Sequence, residues 1–212
     1  MDNLAPCGPV FIFVVIIVLI GLAVPATFAV RFWMDGQSVL ARAEQSGALW
    51  TPRSNRLTTV ERTIAMDQFR DTWLTHGAPC RTFAFMWFDI TDQNPPQGIT
   101  VSQKLATDLA SERQDSSIRW QVRRLVVACQ LEQRYNDRQL LRLWLAHAYF
   151  GRDAEGVEAA SQIIFDKPSA ALNAEESARL AALLRGPGLR TRPEDWALRA
   201  QAIQARVAAI PH

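Results

Sequence analysis

Residues 140–167 read LLRLWLAHAYFGRDAEGVEAASQIIFDK, and this stretch decides the fold. Its first part, Leu140 to Tyr149, is apolar on most sides. Such a segment predicts a helix inside a core, not one lying on a surface. Just upstream, Asn136 and Gln139 have the spacing of a capping box, in which the two side chains each take a backbone N–H at the helix start. Gly151, Gly156, Ala159 and Ala160 are small enough for helices to approach closely. Tyr149, Phe150 and Phe165 supply bulk around them.

The pattern continues outward from there. In Ile118 to Tyr135 the apolar positions Ile118, Val122, Leu125, Val126 and Cys129 form one helical stripe, predicted to be buried, with Arg119 and Arg123 off it. Downstream, Asn173 with Glu176 predicts another helix start, ending near Leu184 before Gly186-Pro187-Gly188. Pro193 opens a final amphipathic helix to about Ala209, since a first-turn proline loses no hydrogen bond. Thr82 to Ile90, TFAFMWFDI, has strand-like aromatic content amid helical neighbours, and its conformation stays open. Residues 58–212 therefore read as one mainly α domain.

The N-terminal segment is different. No charged residue lies between Asp2 and Arg31, and Val10 to Val30 is a continuous apolar run. At about 1.5 Å per residue it spans a hydrocarbon core of roughly 30 Å. No basic residue precedes it, and it is too long for a signal-peptide core, so residues 9–30 read as an uncleaved transmembrane anchor, the alternative being a signal cleaved near Ala29. Residues 31–57 read as a juxtamembrane connection, with Trp33 and Trp50 suited to headgroup level or to the domain itself. Arg31 and Arg42 follow the run, which by the positive-inside rule argues weakly for a cytoplasmic C-terminal side.

A chain of 212 residues with 49% hydrophobic and 21% charged residues holds one domain plus an appendage and excludes global disorder. With 23 basic against 21 acidic residues, the net charge of +2 argues against nucleic-acid binding through phosphate neutralisation. Three cysteines and three histidines without ligand spacing exclude a structural zinc site; His76 and His147 have no partner at metal spacing. A Cys80–Cys129 pair is compatible with an oxidising compartment, but Cys129 on an apolar stripe reads as a buried thiol.

Residues 98–167 resemble the bacterial peptidoglycan glycosyltransferases (glycosyltransferase family 51), which comprise monofunctional transglycosylases and the polymerising domain of bifunctional penicillin-binding proteins. Gly98-Ile99-Thr100-Val101-Ser102-Gln103-Lys104-Leu105-Ala106 stands where that family has GGSTITQQLA, and residues 140–167 follow its YLNxxYFGxGxxGIEAAAxxYFGK motif without a gap. Leu172, Glu176, Ala178, Leu180, Ala181, Leu183 and Pro187 fit the pattern that follows. The resemblance implies a mainly α, lysozyme-like transglycosylase domain behind one N-terminal transmembrane helix. It implies lipid II or glycan strands as ligands, the cytoplasmic membrane, and other cell-wall synthesis proteins as partners. The expected location is the bacterial cytoplasmic membrane, single-pass, with residues 31–212 on the outer side, against the local charge rule. No cofactor is implied; family members can use a divalent cation, but the sequence offers no ligand cluster. In a chain of this length, penicillin binding is not expected.

The family's reaction is inverting: a sugar 4-hydroxyl attacks the anomeric carbon of a pyrophosphate-linked chain. It needs a general base at that hydroxyl and positive charge or donors at the departing pyrophosphate. Asp67 falls where the family's base, a glutamate, is expected; Gln68 follows in place of an aspartate. Arg124 falls at the second expected glutamate, and Trp120 at that motif's arginine. Asp67 is thus the candidate base, its alternative a solvated aspartate on a helix surface. Thr100, Ser102, Gln103, Arg119, Arg123 and Arg124 are the candidate substrate-binding residues, the arginines through guanidinium–phosphate contacts and otherwise as a solvated helix face. Glu132 and Glu158 match structural family glutamates. Ala146, Ile164 and Asp166 replace the family's asparagine, tyrosine and glycine, so the packing skeleton is better kept than the catalytic groups. The expectation is a transglycosylase relative with a degraded site that acts on or binds lipid II. The alternative is an inactive, membrane-anchored interaction module of the same machinery.

Overall fold

The computed structural model describes residues 9–45, 47, 56–69, 80, 100–110, 118–151 and 154–209, with only the backbone course for residues 9–25. Its helices are α1 (Pro9–Gln45), α2 (Thr59–Phe69), α3 (Val101–Leu109), α4 (Ile118–Arg134), α5 (Asp137–His147), α6 (Val157–Phe165), α7 (Ala174–Arg185) and α8 (Pro193–Ala208). Single 3-10 turns at Ser169–Ala171 and Pro187–Thr191 flank α7. Among the described residues there is no strand beyond one isolated bridge, Tyr149 with Glu155. The aromatic segment 82–90 lies outside the described residues.

Local chemistry sets most helix starts. Capping boxes open α5 at Asn136 with Gln139, and α7 at Asn173 with Glu176. Thr58 and Glu61 exchange the same pair of bonds before α2. Each such cap satisfies two backbone donors that a helix start otherwise leaves open. Pro193 opens α8 in its first turn.

The core forms where α5 enters the bundle. Leu140, Leu141, Leu143, Trp144 and Leu145 are all buried, as an all-round apolar helix requires. The Trp144 ring meets Phe69 of α2 edge-on at 5.2 Å, a contact worth about 0.5–1.5 kcal/mol beyond the area it buries. After α5 the chain doubles back: Phe150 donates to the Ala154 carbonyl at 2.9 Å and Gly156 to that of Ala148 at 2.9 Å. Gly156 has φ +85°, and a Cβ there would stand 2.6 Å from the Ala146 carbonyl oxygen, so only glycine fits this return. Helices α7 and α8 pack against α2 and close the other side, with Leu180, Leu183 and Ile203 fully buried.

Three readings from sequence change. Residues 31–45 are not a connection: they continue α1, whose Val39, Leu40 and Ala43 enter the core. Ile118 does not join the buried stripe of α4; it is 83% exposed, while Val126 and Cys129 are buried. Cys129 is not a lone thiol but forms a disulfide with Cys80, 49 residues away. The expected anchor, 9–30, falls mostly on residues 9–25, whose side chains are outside the described residues. Among the described residues no helix is long and apolar enough to cross a membrane.

Candidate functional site

Asp67 lies three residues after Ile64 and seven after Val60, on the buried stripe of α2. Its side chain has no solvent exposure. Arg206 donates to Oδ1 at 2.5 Å, Arg185 Nε lies 3.4 Å from Oδ2, and Gln68 Nε2 donates to Oδ2 at 2.9 Å. A second Arg185 nitrogen donates to the Asp67 carbonyl at 2.8 Å. Both arginines sit in the last turns of their helices, α7 and α8, where a cation also suits the helix dipole. Asp67 is therefore not the solvated surface aspartate of the alternative reading. It is the buried anion that ties α2 to the ends of α7 and α8. Its oxygens are committed to donors of the protein itself, whereas a general base needs a lone pair facing the proton it takes.

The motif-two residues are equally engaged. Thr100 Oγ1 accepts from the Gln103 N–H at 3.2 Å, and the Thr100 N–H donates to Gln103 Oε1 at 3.2 Å, the capping box of α3. The hydroxyls of Thr100 and Ser102 lie 2.8 Å apart, and Ser102 donates to the Glu132 carboxylate on α4. Thr100 and Ser102 are buried. These three side chains start α3 and pin it to α4. The T-x-x-Q spacing that announces such a cap was present in the sequence.

The three arginines of α4 divide their duties. Arg123 Nε pairs with Asp35 of α1 at 3.1 Å. Arg119 is exposed. Arg124 stacks over the Trp120 ring at 5.1 Å and donates to Gln121 at 2.9 Å. Among the described residues no carboxylate pairs with it, and burial lowers its guanidinium from the ordinary arginine value. Of the candidates, Arg124 alone combines partial desolvation with no carboxylate partner among the described residues, the condition under which an anionic ligand gains most. Asp67 and Arg124 have no partner in common among the described residues. The cations that do hold Asp67, Arg185 and Arg206, lie 118 and 139 residues away, and no local pattern pointed to them.

Glu158 accepts from the Ser169 N–H at 3.1 Å and steadies the turn before α7. Glu176 pairs with Lys167 at 2.5 Å; that hydrogen bond, then the Asn173 backbone, holds its carboxyl below the usual range. Among the described residues no three His, Cys, Asp or Glu side chains converge.

The transglycosylase family profile matches residues 78–209, more than half of the chain. Penicillin-binding protein 2a of Streptococcus pneumoniae is 34% identical over 92 residues, 43% of this chain and 12% of its own length. Penicillin-binding protein 1C of Escherichia coli is 31% identical over 147 residues, 68% of this chain and 19% of its own length. The biosynthetic peptidoglycan transglycosylase of Acinetobacter baumannii is 37% identical over 90 residues, 42% of this chain and 40% of its own length. The chain thus spans less than half of each of these relatives. The matched stretch contains α3 to α8, the capping boxes of α3, α5 and α7 and the return at Gly156 described above. On the profile match over most of its helical body, this chain belongs to the transglycosylase family.

Proposed function

We propose that this protein binds lipid II, or the glycan strands made from it, at the outer face of the bacterial cytoplasmic membrane without polymerising them at the family's rate. The observation that carries this reading is the state of Asp67. The carboxylate nearest the expected base position is buried between Arg185 and Arg206. Proton removal by a positioned base typically contributes 10²–10⁴-fold, so its loss removes a large part of the rate. The second expected glutamate is Arg124, so a negative group has become a positive one at that position. A partly desolvated guanidinium suits a pyrophosphate, which binds whether or not the sugar hydroxyl is deprotonated.

The topology reading has support of its own. Residues 9–30 act as the anchor, and the Cys80–Cys129 disulfide fits an oxidising compartment, hence the outer side of the membrane. One or two arginines after the span are a small bias that a whole domain overrides on export.

Binding is tested with purified full-length protein and lipid II in detergent or nanodiscs. Arg119→Ala with Arg124→Ala should weaken binding about tenfold or more and flatten its salt dependence, because charge-assisted hydrogen bonds are removed. Arg123 is left in place because it holds α1. Unchanged affinity in a folded double variant sinks the pyrophosphate role. Absence of lipid II binding by the wild type favours the interaction-module reading.

A further inference from the structure

Arg123, Arg134, Arg142 and Arg192 each pair with a different carboxylate, those of Asp35, Glu44, Glu61 and Asp195. Arg185 and Arg206 differ, because both meet the same one, Asp67. Two guanidiniums on one carboxylate leave a positive charge unmatched. Among the described residues no second acid pairs with either arginine.

That charge is held in place. Arg185 has Nε 3.4 Å from Asp67 Oδ2 and donates through Nη2 to the Asp67 carbonyl at 2.8 Å. Arg206 donates through Nη2 to Oδ1 at 2.5 Å and through Nε to the Ala202 carbonyl at 3.3 Å. The remaining nitrogen of each, Nη1, has no acceptor among the described residues. The two side chains are 39% and 42% exposed, while the carboxylate beneath them is fully buried. An ordinary surface arginine loses rotamer freedom when it grips an anion. These two have already lost much of it to Asp67, so less entropy opposes a ligand. Their like charges repel, and an anion laid across both on the open side relieves that repulsion. The guanidiniums come from separate helices, α7 and α8. A phosphate group offers oxygens in more than one plane and accepts from two directions, whereas a planar carboxylate suits a single fork.

We infer that Arg185 and Arg206, braced by the buried Asp67, form a binding site for a phosphate-class oxyanion, free or carried on a larger molecule. The site is independent of the Arg124 region: among the described residues, neither arginine shares a contact with Arg124, which meets Trp120 and Gln121. Asp67 then serves as the support of two ligand-binding cations.

The test uses the full chain in detergent, with inorganic pyrophosphate as the probe at constant pH and ionic strength. Arginines of the wild type are modified with phenylglyoxal and mapped by mass spectrometry, so no substitution is needed. Pyrophosphate should protect Arg185 and Arg206 together, with one saturation midpoint. Arg138, exposed in the first turn of α5, is the control and should react unchanged. Acetate at the same ionic strength should protect neither. In Arg206→Gln the midpoint for protecting Arg185 should rise about tenfold or more, because a charge-assisted contact is lost. Protection of neither arginine, or of Arg138 equally, overturns the site. Protection at Arg124 alone overturns it and leaves the proposed lipid II contact standing. Acetate as effective as pyrophosphate overturns the phosphate class, and an unshifted midpoint in Arg206→Gln overturns the sharing of one ligand. Lipid II in place of pyrophosphate identifies the source. Protection of Arg185 and Arg206 by both ligands assigns the site to a lipid-linked phosphate, and protection by pyrophosphate alone assigns it to a free anion.

Discussion

Asp67→Ala should lower the stability of the folded domain by about 3 kcal/mol, or about 6–12 °C in Tm for a chain of this size. The variant leaves the guanidiniums of Arg185 and Arg206 facing each other without the carboxylate that holds them. Breaking a buried ion pair from one side costs about 3–5 kcal/mol, and the lower end applies because both arginines are about 40% exposed and water can reach them. The sign of the change separates two roles. Replacing a strained catalytic carboxylate is commonly neutral or stabilising, whereas a structural anion loses stability when removed. Differential scanning calorimetry on wild type, Asp67→Ala, Arg206→Ala and the double variant yields the coupling between the two groups. A Tm for Asp67→Ala equal to or above that of wild type contradicts the structural role.

The second large effect belongs to the disulfide. Cys129→Ser opens the Cys80–Cys129 bridge, whose sequence separation is 49 residues. Loop-closure entropy assigns a bridge of that span about 4 kcal/mol. The loop it closes contains α3 and α4 as far as Cys129, with Thr100, Ser102, Gln103, Arg119, Arg123 and Arg124. Reduction of wild type should therefore lower Tm and weaken lipid II binding together. Cys129→Ser should show the same lower Tm with no further response to reductant. Protein isolated from cells with alkylated, unpaired Cys80 and Cys129 contradicts both the bridge and the outer-side topology.

How much of this was legible in sequence depends on range. The starts of α5, α7 and α8 followed from Asn136 with Gln139, Asn173 with Glu176, and Pro193, because caps act over three or four residues. The buried all-apolar α5 followed from its composition. The errors arose where distant groups decide. Nothing near Asp67 announces Arg185 or Arg206. Of the α4 stripe, Ile118, Val122, Leu125, Val126 and Cys129, only Val126 and Cys129 are buried, because periodicity cannot tell an apolar residue that meets a core from one that does not. Residues 31–45 looked like a connection because only Val39, Leu40 and Ala43 enter the core. Thr100, Ser102 and Gln103 were read through the chemistry of their motif, while their local geometry also spelled a helix cap. The resemblance that the profile match over residues 78–209 bears out was legible in the motifs of residues 98–167, of which 140–167 is the longest uninterrupted stretch.

The most direct test is a lipid II polymerisation assay on the full-length protein in a membrane mimetic, run beside a binding measurement on the same preparation. Bound lipid II without glycan chains, or with chains formed at least about 10²-fold more slowly than by an intact family member, is the expected result. Glycan chains produced at the family's ordinary rate, with Asp67 still held by Arg185 and Arg206, would contradict the account and place the working base on another residue.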